Sequence, residues 1–432
     1  MYVVIAVVVV VGLYKAWTMG ANDFANSMGG AVGSKSITIR QALILGALCE
    51  FAGAVLVGSN VADTIRKGIV EPSLFASRPE VLAVGMGCAL LASSVWMHLA
   101  TWWGMPVSST HAIVGAVAGF GIVAAGFSAV HWGEMGQIAL SWLVSPVSGF
   151  VISFTIFKLI ARFILGRQNP VPAAVRGAPV VAFTVVLIVA LATIYDGLKH
   201  LTERGAQYLT GVNAIIISVG IALVSAIVSR FLVARYLKEG ESLPLPEQLR
   251  KVEMVFAPLV VLSACSVAFA HGANDVANAI GPLAAVVDIV QTGTVQMKVF
   301  VPFWALALGG VGIVLGLVTF GYRVLLTIGT KITQLTPSRG VAANIATAAT
   351  VLVCTRMGLP MSTSHTIVGA VLGVGFARGL GAINEEVTKD ILYSWLVTVP
   401  FSGVLAMALF VICRFAGLDV MLKGVLQAGS GC

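Results

Sequence analysis

GANDFANSMG, Gly20–Gly29, follows a stretch that is almost pure valine, Val3–Val11. Asn22, Asp23 and Asn26 therefore stand inside what reads as membrane. The surroundings support that reading. The 432 residues are 58% hydrophobic and only 10% charged, with a mean hydropathy of +0.98. A soluble domain carries about 25% charge, which this chain lacks for covering a water-facing surface. Apolar runs recur at about 17–25 residues, the length of a spanning helix, and they do not alternate in polarity as barrel strands of about 10 residues do. Lipid requires every backbone group to be satisfied within its own segment, so the expected class is an all-α integral membrane bundle.

The formal net charge of +8 does not point to nucleic acid, because the basic residues fall mostly between apolar runs, where they set orientation. The six cysteines show no CxxC and no metal-ligand spacing, and most lie in apolar runs as small core residues. The N-terminus lacks the basic region and small-residue cleavage site of a signal peptide, and its apolar start belongs to the first membrane segment.

The decisive feature is that the opening motif occurs twice. GANDVANAIG, Gly272–Gly281, matches it at seven of ten positions. PVSSTHAIVGAVAG, Pro106–Gly119, matches PMSTSHTIVGAVLG, Pro360–Gly373, at nine of fourteen. SWLVSPVSG, Ser141–Gly149, has its partner in SWLVTVPFSG, Ser394–Gly403. The offsets are 252, 254 and 253 residues, in the same order along the chain, which marks a duplicated unit. Residues 1–163 form the first repeat, 164–251 a connecting region with two apolar runs, and 252–432 the second repeat. The stretch 230–253 is the long hydrophilic loop.

Arg162, Arg167 and Arg176 lie in one basic loop, and Arg230, Arg235, Lys238, Arg250 and Lys251 in the next. Two spans separate these loops, so both lie on one face, and the positive-inside rule makes that face cytoplasmic. If each repeat crosses an odd number of times, the repeats are inverted and both termini lie outside, a recurring plan of secondary transporters. About twelve membrane segments are expected, with broken helices and re-entrant hairpins.

An ionisable group costs at least about 2.5–3.5 kcal/mol at the centre of a membrane helix, so two retained copies need a use. Carboxylate and amide oxygens suit hard cations. The neighbouring Gly20, Gly29, Gly272, Gly281 and Pro282 are expected to weaken or interrupt the helices, an interruption freeing carbonyls for coordination. Asp23 and Asn26, with Asp275 and Asn278, are the candidate sodium sites. The bland alternative is polar glue between helices, which rarely needs a carboxylate.

The second motif carries opposite chemistry. Pro106 and Pro360 should break helices, and hydroxyls follow: Ser108, Ser109 and Thr110, then Ser362, Thr363 and Ser364. An apolar helical run comes next, so free N–H groups and hydroxyl donors gather at a half-helix N-terminus, where an anion binds well. Simple N-capping is the alternative. His111 and His365 close the motifs; contact with the anion, orientation of hydroxyls, proton relay and satisfaction of a backbone group all fit. His271 precedes the second motif where the first copy has Met19, so a duplicated site does not need it. Glu50 has no counterpart in the second repeat, where the chain reads LGGVGIVLG; tuning of coupling and contact with water both fit.

GANDFANS and GANDVANA, with PVSSTH and PMSTSH, resemble the duplicated signatures of the inorganic phosphate transporter (PiT) family, over the whole chain apart from the connecting region. The resemblance implies a plasma-membrane phosphate importer driven by Na⁺ or H⁺, working by alternating access and assembled as a homodimer, with no cofactor beyond the co-transported sodium. Carried over by motif, Asp23, Asn26, Asp275 and Asn278 sit at cation sites. Ser109, Thr110, Thr363 and Ser364 contact phosphate, with Asn22 and Asn274 near both. The long hydrophilic domain of animal members is reduced here to the loop 230–253, and the glutamate that members often carry in each repeat stands only in the first. Proton coupling and transport of sulfate or another oxyanion are the nearest rivals. A channel would need a continuous polar path, and an intramembrane enzyme would need a water-activating group beside the Ser/His pairs.

Overall fold

The computed structural model describes residues 1–58, 69–194, 211–296, 299, 301–356 and 361–429. Pro360, the expected helix breaker of the second hydroxyl motif, lies outside the described residues. Within them the chain is helical, with one isolated bridge between Val70 and Val130 and no strand.

Fifteen α-helices follow in order among the described residues: α1 Tyr2–Gly33, α2 Ile39–Val57, α3 Pro79–Trp102, α4 Ser109–Ala125, α5 Trp132–Ile160, α6 Pro170–Ala192, α7 Val212–Tyr236, α8 Leu245–Val255, α9 Ala257–Thr292, α10 Phe303–Phe320, α11 Tyr322–Leu326, α12 Pro337–Arg356, α13 Thr363–Phe376, α14 Glu385–Phe415 and α15 Leu418–Gly429. Nine helical stretches among the described residues are long and apolar enough to cross a membrane. The helices Ser109–Ala125 and Thr363–Phe376 are apolar but shorter.

Two sequence expectations are corrected. The interruptions expected at Gly20, Gly29, Gly272, Gly281 and Pro282 do not occur: α1 and α9 run unbroken through both motifs, with Pro282 inside α9. Apolar surroundings offer a freed carbonyl no water, which favours keeping the helical bonds. The stretch 230–253 is not an extended loop either. Helix α7 continues to Tyr236, and α8 covers its far end, apolar along one side and charged along the other. Glu253 of α8 ties this segment to the start of α12. Its carboxylate accepts Ser338 N at 2.9 Å, Ser338 Oγ at 2.8 Å and Thr336 Oγ1 at 3.0 Å.

The expected breaks at the hydroxyl motifs do hold. Helix α3 ends at Trp102 and α4 starts at Ser109; α13 starts at Thr363. Ser108 and Ser362 are the N-caps, accepting His111 N and His365 N at 3.2 Å each.

The glycines instead bring helices together, in pairs that exchange between the repeats. A Cβ on Gly20 would strike the Ile313 carbonyl of α10, and one on Gly272 the Glu50 carbonyl of α2. Gly53 of α2 meets Phe269 and Ala273 of α9, as Gly316 of α10 meets Trp17 and Ala21 of α1. Gly115 and Gly119 of α4 press on Val399 and Gly403 of α14; Gly369 and Gly373 of α13 press on Pro146 and Phe150 of α5. Each contact crosses from one repeat to the other, and each has its counterpart, at offsets of 252–254 residues on α1/α9, α4/α13 and α5/α14 and of 263 on α2/α10. This close packing of backbone on backbone is how small residues hold helices together where no hydrophobic drive separates protein from lipid.

Candidate functional site

The exchange brings each Asp/Asn motif against the hydroxyl motif of the other repeat. On α1, Asn26 Nδ2 donates to Ser364 Oγ at 2.8 Å and to Asp23 Oδ1 at 3.2 Å. Ser364 Oγ lies 3.2 Å from Asp23 Oδ1 and 3.0 Å from Val107 O, so one proton serves two acceptors. On α9, Asn278 Nδ2 reaches Thr110 Oγ1 at 3.3 Å and Ser109 Oγ at 3.4 Å, and Ser109 Oγ donates to Asp275 Oδ2 at 3.4 Å. Thr110 is the counterpart of Ser364, so Asn26–Ser364 and Asn278–Thr110 are one contact made twice. The two halves are not equally closed. Asp23 is fully buried while Asp275 keeps 8% exposure, and the distances on the Asp275 side are the longer ones.

Asn22 is committed elsewhere. Its two N–H groups go to Thr101 Oγ1 at 2.9 Å and Met105 O at 3.0 Å, and its carbonyl oxygen accepts Val107 N at 3.0 Å. Both donors that an anion would need are used, and the three bonds tie the end of α3 and residues 105–107 to α1. Asn274 is half-buried; the segment 357–360, most of the counterpart of that linker, lies outside the described residues. Thr363 opens α13 and is half-buried.

His271, set aside from sequence because its counterpart is Met19, sits at the centre. Its Nε2 lies 2.9 Å from Asp275 Oδ2 and 3.6 Å from Asp23 Oδ2, and its Nδ1 lies 3.5 Å from Glu50 Oε1. These contacts lie within ion-pair distance without being aligned hydrogen bonds, and all four side chains are buried. The spacing His271-x-x-x-Asp275 places both on one helix face, a signal available in the sequence. Glu50 therefore faces this cluster, not water; its Oε1 also accepts Ser27 Oγ at 3.4 Å.

Hard oxygen remains available here. Asp23 Oδ2, Asn26 Oδ1 and Glu50 Oε2 are buried without a hydrogen-bond partner among the described residues. One ligand atom from each of Asp23, His271 and Asp275 falls within 4.8 Å of the others. Buried oxygens without donors are what a hard cation takes.

His111 and His365 stand apart from the carboxylates and meet each other edge to face, ring centroids 4.8 Å apart. His365 stacks on Trp395 at 3.8 Å, and His111 lies 5.4 Å from Trp142. Trp395 in turn donates to Pro106 O at 3.0 Å. The histidines thus form a buried aromatic seam behind the starts of α4 and α13.

Comparison with known proteins places the chain firmly. The phosphate transporter family matches residues 19–406. A Pyrococcus abyssi protein titled "Putative phosphate permease" is 44% identical over 94% of this chain and 97% of its own length. The chloroplastic inorganic phosphate transporter 2-1 of Arabidopsis thaliana is 42% identical over 91% of this chain and 70% of its own. A solved structure titled as the sodium-dependent phosphate transporter is 42% identical, covers 96% of this chain and 99% of that one, and superimposes with a TM-score of 0.83.

Proposed function

The chain belongs to the phosphate transporter family, and we propose that it imports phosphate by sodium symport through alternating access. That it is a multi-pass membrane transporter and no enzyme follows from the family and the nine spans. The observation that carries the mechanism is the cross-pairing. Asp23/Asn26 close on Ser364, and Asp275/Asn278 on Ser109 and Thr110, so cation ligands and anion donors of opposite repeats share a hydrogen bond. Sodium at the two Asp/Asn motifs would draw the carboxylates away from the hydroxyls and lower the cost of an anion beside them. The hydroxyls of Ser109, Thr110, Thr363 and Ser364 would then turn to phosphate. By linkage the anion raises cation affinity by the same factor. The similar solved structure is that of a sodium-dependent phosphate transporter, which favours Na⁺.

The exchanged glycine contacts support an inverted-repeat architecture, with residues 1–163 and 252–432 as the two units and 164–251 connecting them. With Ser109–Ala125, Pro337–Arg356 and Thr363–Phe376 added to the nine spans, twelve membrane segments result. The segment 230–253 is assigned to the cytoplasm by its basic residues and both termini to the outside, in a plasma-membrane homodimer.

Proton coupling is the second reading, favoured by His271 among three carboxylates. Reconstitution into liposomes separates the two. Labelled phosphate should accumulate with an inward Na⁺ gradient at constant pH, and should not with a proton gradient in Na⁺-free buffer. The reverse result refutes sodium coupling, and accumulation of sulfate in place of phosphate refutes the substrate.

A further inference from the structure

Lys15 lies in the middle stretch of α1 with no exposed surface. Among the described residues its ammonium makes one hydrogen bond, to Met97 Sδ at 3.1 Å. A thioether is a weak acceptor and carries no charge, so the ammonium is buried essentially unpaired. No carboxylate of the described residues forms an ion pair with it. Lys15 stands eight residues before Asp23, about 12 Å along the helix axis. Met97 is one turn before Thr101, the hydroxyl that holds Asn22. The ammonium therefore sits in the α1–α3 seam just below the linker that leads into α4. Position 267, its counterpart at the motif offset, is valine.

A long-stemmed cation on a membrane helix ordinarily reaches for the interface, and one held inside marks an ion or substrate pathway. We infer that Lys15 is a built-in cation of the transport site, a positive charge that favours the anion and opposes the coupling cation. It acts by field rather than contact: it attracts phosphate approaching the hydroxyls of α4 and α13 and repels sodium at the carboxylates. The inference rests on the phosphate-transport reading, though only its cation arm depends on sodium.

The test is Lys15→Met, which keeps length and apolar volume, beside Lys15→Arg, each full-length in liposomes. A unit charge at about 12 Å in an effective dielectric near 20 changes affinity by roughly tenfold. Lys15→Met should raise the phosphate KM and lower the half-saturating Na⁺ concentration, each by up to about tenfold, while Lys15→Arg stays near wild type. A structural role would move Vmax, or both constants together. Unchanged constants, or shifts in the same direction, overturn the inference. If Lys15→Met aggregates, Lys15→Gln is measured instead; if neither neutral variant folds and Lys15→Arg does, the charge is structural and the inference fails. Uptake by the wild type that ignores Na⁺ sinks sodium coupling alone. The phosphate KM measured under a proton gradient then decides Lys15: a rise in Lys15→Met upholds it, no rise removes it.

Discussion

Replacing Asn22 by alanine separates two roles that the sequence cannot tell apart. As a phosphate ligand, Asn22 would be dispensable for folding, and its loss would raise KM. The geometry gives it a different task. Three hydrogen bonds of 2.9–3.0 Å hold Thr101, Met105 and Val107, and Val107 has no exposed surface. Alanine would orphan Val107 N in a buried place and Met105 O in a part-buried one. A buried orphan costs about 1–3 kcal/mol, so Val107 N alone costs that much and Met105 O adds a smaller share. Thr101 Oγ1 keeps its own donation to Met97 O at 2.7 Å and adds little to the loss. Against a total stability of about 5–15 kcal/mol, that is a large fraction. The assay is thermal unfolding in detergent followed by size-exclusion chromatography, with phosphate KM measured on whatever protein survives reconstitution. Asn22→Ala should melt well below wild type. Asn22→Asp should be no better, because a carboxylate oxygen would face Met105 O where a donor stood. An Asn22→Ala protein that melts with the wild type while its phosphate KM rises would refute the splint and restore the ligand role.

Gly20→Ala and Gly272→Ala should each destabilise by about 1–3 kcal/mol or more, since the added Cβ comes within 2.8 Å of Ile313 Cα or Glu50 Cα and the helices must part; melting curves matching wild type would show that these seams have slack. Asp23→Asn and Asp275→Asn should each raise the half-saturating Na⁺ concentration in liposome uptake, and normal dependence in both would dismiss the paired cation sites. Glu253→Ala removes three hydrogen bonds at the start of α12 and should speed hydrogen exchange across 245–255 and 337–340 while leaving phosphate KM unchanged; exchange as slow as wild type would place the anchor elsewhere.

The helix starts were legible because their signal is local. A hydroxyl before an apolar run accepts an N–H of the first turn, and Ser108 and Ser362 do so at equal distances. The continuity of α1 and α9 was not legible, because the same glycine that breaks a helix in water lets another helix approach in lipid. Which of these it does depends on a partner some 220–300 residues away along the chain, as with Gly20 and Ile313. The carboxylate and hydroxyl motifs were each visible, but their pairing across repeats was not. His271 was missed for the opposite reason. Comparing the two copies rewards what is shared, and the cluster is centred on a residue that is not.

Among the described residues, three buried ionisable side chains on α1, α2 and α9 break the duplication. Lys15 answers to Val267 and His271 to Met19 at the motif offset; Glu50 answers to Ile313 through the matched contacts with Gly272 and Gly20. The shared residues, Asp23 with Asp275 and Asn26 with Asn278, would on their own make two sites of equal energy. Exchange of roles between two like repeats would then weight the two faces of the membrane alike. Charges present in one copy only remove that degeneracy, because a carboxylate, an imidazole and an ammonium cannot have the same surroundings in both arrangements. The tighter closure around Asp23 and the looser one around Asp275 fit such a bias. On the proposed mechanism the duplicated motifs would supply ligands for the ions, and the unduplicated charges the difference between the two halves that hold them.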